Sequence, residues 1–508
     1  MKLMENTIKK ILLATSLYAI ATLTTLAQSS EPALSIPKLK AAVEAAPDDI
    51  AKHKAYTDAM RGNEAEMDKQ YAVWMKKYPK QAMIPFAIGD AYERRESARA
   101  RPYLLKAVSM KPSMAEAWYG LAGDAERWGE FEKSRKYLKK AVDAAPGNAD
   151  YLAVYAFSFT SSDIPRYLQL TNEVIKRFPQ HERAAQALYW LAVREPEQEQ
   201  KLKFWERLHR EYPEDKYGWS AAAAGDYFNA LLAIDPTKAG KLASELTGDN
   251  EEGKKWRDQV ELAIRVGNAK KLLEDKKGME ARKILDEIDL PKHSSFKNNL
   301  LLLKASADDI SGNTVAAYDS LLAAFVKAPQ AILKKVLDEY GKKLGKEATQ
   351  IDADIWSKIN MVAVPATPFS LKNYFTNKYT SLEDYKGKVV LLTYWFPGCG
   401  PCRGEFPYFE NVVRKFKGQD LEYAGINIVP KQNDYVLPFL KSSGYSFTPL
   451  EEVNGRNKGT LDNRGLAPIN FLIDKQGQVI FSFFRTDSNN EDELELMIKM
   501  LLTGKTTI

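Results

Sequence analysis

The stretch Val389-Val-Leu-Leu-Thr-Tyr-Trp-Phe-Pro-Gly-Cys-Gly-Pro-Cys402 decides the fold of the C-terminal part of this chain. Its first seven residues are aliphatic, β-branched or aromatic, and Lys386-Gly-Lys388 bounds them upstream. That pattern predicts a buried central strand. Phe396-Pro-Gly398 then breaks the strand. From Cys402 to Phe416 apolar residues recur at helical spacing, with Pro407 predicting a kink inside the helix. Cys399 is therefore placed at a helix N-terminus. A Cys-X-X-Cys between strand and helix reads as a redox dithiol rather than half of a zinc site.

Cys399 and Cys402 are the only two cysteines among 508 residues, so cysteine is no general staple here. Free N–H groups and the helix dipole at a helix N-terminus favour a thiolate over a thiol. The thiolate of Cys399 is suited to attack a disulfide and form a mixed disulfide. Cys402, one turn on, is suited to resolve it. Zinc would need two further ligands. No second cysteine pair exists, and His53, His181, His209 and His293 all lie in the other part of the chain. The plain alternative is a pair of buried, inert cysteines. No metal or cofactor beyond a Cys399–Cys402 disulfide is implied.

The length predicts two to four domains. Apolar residues make up 45% and charged residues 28%, which fits a globular chain. The formal net charge of +6 is spread thinly, with no basic field of the kind nucleic acid requires. Residues 1–27 are laid out as a targeting signal. Lys9-Lys10 precede the apolar run Ile11 to Ala27, and polar Gln28-Ser-Ser30 follows. The run is diluted by hydroxyl residues, whereas a spanning helix needs about 20 predominantly apolar residues. A cleaved signal ending near Thr25-Leu-Ala27 is the favoured reading. No cysteine follows it to carry a lipid, and no later stretch is apolar enough to span a bilayer. The expectation is a soluble mature protein in the periplasm or another extracytoplasmic compartment where disulfides form.

The middle of the chain is periodic. Prolines that close apolar helical segments stand at Pro79, Pro112, Pro146, Pro179 and Pro213, at intervals of 33 or 34 residues. Such a period marks an array of helix pairs. The unit Trp118, Leu121, Ala122, Ala125, Gly129, Ser134, Leu138, Ala141, Pro146 resembles the tetratricopeptide consensus. An earlier unit, from Ile84 to Pro112, and a late one, from Leu301 to Pro329, keep the same offsets. Small residues at the alanine positions let paired helices approach, and large ones fill the seams. These features predict a helical solenoid over residues 31–345, with the register lost between Gly218 and Gly253. Aromatic residues such as Tyr71, Trp74, Trp118, Trp190 and Trp219 read as repeat core rather than as a ligand groove. The solenoid offers a surface for a protein partner or for the chain itself, and the sequence does not distinguish the two.

Gly341-Lys-Lys-Leu-Gly345 ends the array, residues 346–364 read as a linker containing a short helix, and Pro365-Ala-Thr-Pro368 opens a strand-rich domain over 365–508. Four motifs in that domain arrive in order: Phe369-Ser-Leu371, Ser381 to Leu392, Cys399-Gly-Pro-Cys-Arg-Gly-Glu-Phe-Pro407, and Ala467-Pro-Ile-Asn-Phe-Leu-Ile-Asp474 running on to Ile480. Together they resemble the TlpA/ResA-like branch of the thioredoxin superfamily. The resemblance implies an α/β thioredoxin fold after the α-helical solenoid, and a thiol:disulfide oxidoreductase that acts on protein thiols and disulfides and is re-reduced by an upstream electron donor. It implies that Cys399 is the nucleophile, Cys402 the resolving cysteine and Pro468 a cis-proline. Trp395, Gly400, Pro401, Ala467 and Pro468 are implied to meet the substrate. Asn470-Phe-Leu-Ile473 and Gln478 to Phe484, joined by Asp474-Lys-Gln-Gly477, independently predict a hairpin.

Three departures stand out: Gly398 where many relatives carry Trp, Thr393 where cytosolic thioredoxins carry an acid, and no glutamate shortly after Ile428. Glu405 is expected on the exposed face of its helix. Gly-Pro between the cysteines resembles reducing thioredoxins. A repeat-based scaffold with a structural C-terminal domain is the competing reading. A peroxidase is disfavoured by Phe396, which stands where peroxiredoxins place threonine.

Overall fold

The computed structural model describes residues 35–291 and 294–506; the segment 1–27, read from sequence as a targeting signal, lies outside them. Helices fill the chain from Ile36–Ala45 to Ala331–Lys343. The closing prolines act as the spacing predicts. The helices Glu64–Lys77, Ala100–Met110, Phe131–Ala144, Ile164–Arg177 and Gln198–Glu211 each stop two residues before Pro79, Pro112, Pro146, Pro179 and Pro213. A residue preceding proline is sterically disfavoured in the helical region, which favours a helix end at each of these points. Some starts are set by side-chain caps. Asn148, Asp163 and Asp235 accept hydrogen bonds from the N–H groups of Tyr151, Arg166 and Lys238.

Consecutive helices pack on one another along the array. Ala87, Ala91, Ala100, Ala107, Ala122, Ala125, Ala141, Ala305 and Ala317 are all buried at the contacts. Tyr71, Trp74 and Trp205 are buried core residues, while Tyr189, Trp190 and Trp219 form a half-buried aromatic cluster. The register lost between Gly218 and Gly253 has a structural cause. A short helix, Pro236–Glu245, follows Gly218–Ile234 directly, and the next helix, Glu251–Glu274, runs for 24 residues. The segment read as a linker is mostly one helix, Ala348–Val362, whose Ile351, Ile355 and Ile359 are buried.

An eight-stranded mixed sheet follows: β1 (Val364–Pro365), β2 (Ser370–Asn373), β3 (Tyr379–Ser381), β4 (Val389–Trp395), β5 (Leu421–Asn427), β6 (Thr448–Glu451), β7 (Ile469–Ile473) and β8 (Gln478–Ser482), in the order β1-β8-β7-β4-β5-β6-β2-β3. β4, β5 and β6 are mutually parallel, and their crossovers are the helices Gly400–Lys415 and Asn433–Ser443. The continuous apolar run of β4 is explained by its place. Neighbours flank it on both edges, all seven residues are buried, and helices cover its face. β7 and β8 form the hairpin read from sequence, its turn fixed by the Asp474 side chain accepting from the N–H groups of Gln476 and Gln478.

The helical array and the sheet share a core. Phe325, Leu337, Ile351 and Ile355 belong to the same apolar cluster as Trp395, Phe406, Phe439 and Leu501. Trp356 Nε1 donates to the carbonyl of Gly504 at 2.6 Å, tying the connecting helix to the C-terminal one, Glu491–Thr503.

Candidate active site

Cys399 is the N-cap of the helix Gly400–Lys415, and its Sγ accepts a hydrogen bond from the N–H of Cys402 at 3.2 Å. The two cysteines form a disulfide, with Cα atoms 5.3 Å apart. Pro401 at the second helical position fits the cap, because that N–H would have no partner in any case. The helix runs through Pro407 without interruption. Cys399 is 3% exposed and Cys402 is fully buried. Gly400 is exposed and Pro401 half-buried, so they form the open rim of the disulfide.

The Ala467–Pro468 peptide bond is cis. Ala467 is half-buried and Pro468 is buried, and the Pro468 carbonyl accepts from Arg485 Nη1 at 2.9 Å. Trp395 differs from its expected place against a substrate. It is wholly buried beneath the turn, with ring centroids 5.5 Å from Phe406, 5.2 Å from Phe439 and 4.9 Å from Phe447. The reason is that β4 is covered on both faces, so its last side chain has no solvent side. Trp395 supports the turn from behind.

Glu405 is a correction. The helix face that carries Cys402 also carries Glu405, Phe406 and Phe409, and it faces the sheet. Glu405 is only 4% exposed. Its Oε2 accepts from Asn470 Nδ2 at 3.0 Å, and its Oε1 pairs with Arg485 at 2.7 Å. Burial pushes its carboxyl up to about 7, against the pull of Arg485 and of the hydrogen bonds from Asn470 and the Thr486 N–H. Thr393, opposite Asn470 in the β4–β7 pairing, carries no acid, as its sequence dictates. The buried carboxyl of this site comes instead from the helix, one turn beyond Cys402. Asn470, a polar residue inside an apolar strand, was the sequence signal for it.

Sequence reading also missed Gln432. This fully buried side chain accepts from the N–H of Gly398 at 2.6 Å and donates through Nε2 to Glu96 Oε2 at 2.5 Å. Arg403 donates to the carbonyl of Pro397 at 2.9 Å and pairs with Glu126 at 2.8 Å. Glu96 and Glu126 belong to the helical array, and no local pattern could have placed them here.

The Redoxin family model matches residues 361–498. The thiol-disulfide oxidoreductase ResA of Geobacillus thermodenitrificans is 33% identical over 133 residues, covering 25% of this chain and 74% of that protein. This chain belongs to the ResA-like thiol-disulfide oxidoreductase family. ResA of Bacillus subtilis is 36% identical over 105 residues, 20% of this chain and 56% of the relative. This ResA-like chain thus spans little more than half the length of some curated relatives, and its helical array lies outside the Redoxin match. A solved structure titled a putative thiol:disulfide interchange protein DsbE from Chlorobium tepidum is 28% identical, covers 28% of this chain and 96% of its own, and has a TM-score of 0.25.

Proposed function

We propose that this chain is an exported thiol:disulfide oxidoreductase that works as a reductase, with Cys399 as nucleophile and Cys402 as resolving cysteine. The observation that carries the reading is the disulfide itself, built at the N-terminus of a helix beside the buried carboxyl of Glu405. In the reduced protein the Cys399 thiolate attacks one sulfur of a substrate disulfide. That S–S bond breaks, one substrate thiolate leaves, and a mixed disulfide forms. Cys402 gives up its proton and attacks Cys399 Sγ, which releases the second substrate thiolate and closes the Cys399–Cys402 bond. Two electrons pass from the cysteine pair to the substrate, and a dithiol donor of the same chemical class returns them in the next cycle. Glu405, with a carboxyl that titrates near neutrality, is the group we assign to hold the proton that Cys402 loses.

Gly400, Pro401, Ala467 and Pro468 form the substrate-facing rim in this reading. The targeting signal at residues 1–27 supports export. Among the described residues no helix is long and apolar enough to cross a membrane. The helical array, read as tetratricopeptide-like repeats, is assigned to contact with a protein partner.

Insulin reduction by the full chain tests the reading. Cys399→Ser is expected to abolish turnover, and Cys402→Ala to accumulate mixed disulfides with client proteins in the native compartment. Undiminished insulin reduction by Cys399→Ser would remove the assignment.

A further inference from the structure

Two turns of the helical array lie against the edge of the redox site. One links Met83–Arg94 to Ala100–Met110 and carries Glu96. The other links Ala115–Arg127 to Phe131–Ala144 and carries Trp128 and Gly129. They stand about one repeat apart and so emerge on the same side of the array. Glu96 reaches Gln432, which holds the Gly398 N–H, while Glu126 reaches Arg403, which holds the Pro397 carbonyl. The backbone immediately before Cys399 is therefore gripped by two side chains that are themselves gripped by the array.

The contact is packed. Trp128 meets the Tyr435 ring edge-on at 5.1 Å, and Phe131 meets Phe439 at 6.1 Å. The Tyr435 hydroxyl donates to Asp124 at 3.2 Å. Gly129, at φ +70°, lies so close that any Cβ there would collide with the carbonyl of Phe439. A Cβ on Gly398 would stand 2.8 Å from Gln432 Nε2 and 3.2 Å from the Glu96 carboxyl carbon. The space beside Gly398, next to the nucleophile, is filled by Gln432 of its own domain backed by Glu96 of the array.

We propose that the helical array is a wall of the redox site, screening one side of Cys399 so that it reaches disulfides carried on small molecules or on extended segments, and not disulfides set in the face of a folded protein. The inference rests on the reading of Cys399 as nucleophile, but it concerns access and is testable apart from turnover. The packed aromatic contacts make the wall a standing feature rather than a transient one.

The test compares labelling of Cys399 by N-ethylmaleimide and by a maleimide fixed to the face of a small folded protein. It uses a Cys402→Ala background, so that Cys399 is the one thiol, and the same protein in denaturant calibrates the two reagents. The folded full chain is expected to discriminate against the protein-borne reagent by about tenfold more than the denatured chain, since a folded face meets the array before it meets Cys399 unless the domains separate. Gly129→Val, which wedges the domains apart, and the double variant Glu96→Ala/Glu126→Ala, which releases the grip, are each checked for folding by circular dichroism. A ratio moving toward the denatured value in either folded variant supports the wall. A wild-type ratio equal to the denatured one, or a ratio unmoved in both folded variants, overturns it. Absent reduction of a small-molecule disulfide such as dithiobis(nitrobenzoate), with an intact discrimination ratio, would remove the reductase reading and leave the wall standing.

Discussion

Glu405 Oε2 accepts a hydrogen bond from Asn470 Nδ2 at 3.0 Å, joining the helix that begins at the cysteines to the strand that follows Pro468. A carboxyl is thereby fixed in the interior between helix and sheet, where its charge is costly.

That cost gives a pH signature. The folded-state value of Glu405 is raised from 4.5 to about 7, so the native state holds the proton where the unfolded chain releases it. The stabilisation is complete below about pH 4.5 and is lost as pH rises toward 7. Above that, the ionised form costs on the order of 3 kcal/mol. Glu405→Gln is expected to gain stability relative to wild type progressively between these values, measured as the difference between two curves of thermal midpoint against pH. A difference that stays flat across the window would show that Glu405 is not the titrating group.

Gln432→Ala leaves the N–H of Gly398 without its partner beside the disulfide. The loss is expected to lower stability by about 1–3 kcal/mol, and to loosen the turn that carries Cys399. Thermal unfolding reads the first effect and the pH dependence of Cys399 alkylation reads the second. A variant unchanged in both would show that Gln432 only fills space.

Glu93 and Arg127 form a buried pair at 2.9 Å inside the array, and Arg127 also lies over the ring of Tyr435 at 6.0 Å. Glu93→Ala strands a buried guanidinium, for which about 3–5 kcal/mol of destabilisation is expected. Truncating both residues together is expected to cost less than Glu93→Ala alone. Equal or greater loss in the double variant, read by thermal melts, would contradict this.

Phe439 is fully buried between Trp395, Phe406 and Tyr445 on one side and Phe131 of the array on the other. Phe439→Ala is expected to cost about 3–5 kcal/mol, and to split a single calorimetric transition into two, because it opens the core that the domains share. One transition at an unchanged midpoint would count against that coupling.

Periodicity and punctuation carried the parts of this protein that local chemistry controls. The closing prolines mark the helix ends because the residue before proline is disfavoured in the helical region. The run Val389 to Trp395, bounded by turn residues, reads as a buried central strand, and Cys399 after it reads as the start of the next helix. Family motifs added the identity of the C-terminal fold and the place of Pro468.

Position across long sequence separations was the tertiary structure's to decide. Glu405 is buried because its helix face turns to the sheet, not because of any residue beside it. Trp395 is a support and not a contact surface because β4 lies mid-sheet. Gln432, Glu96 and Glu126 reach the redox turn only through the docking of two domains whose contacting residues lie some 300 positions apart. Such contacts arise from the shape of two completed surfaces, and a one-dimensional pattern holds no record of which surfaces meet.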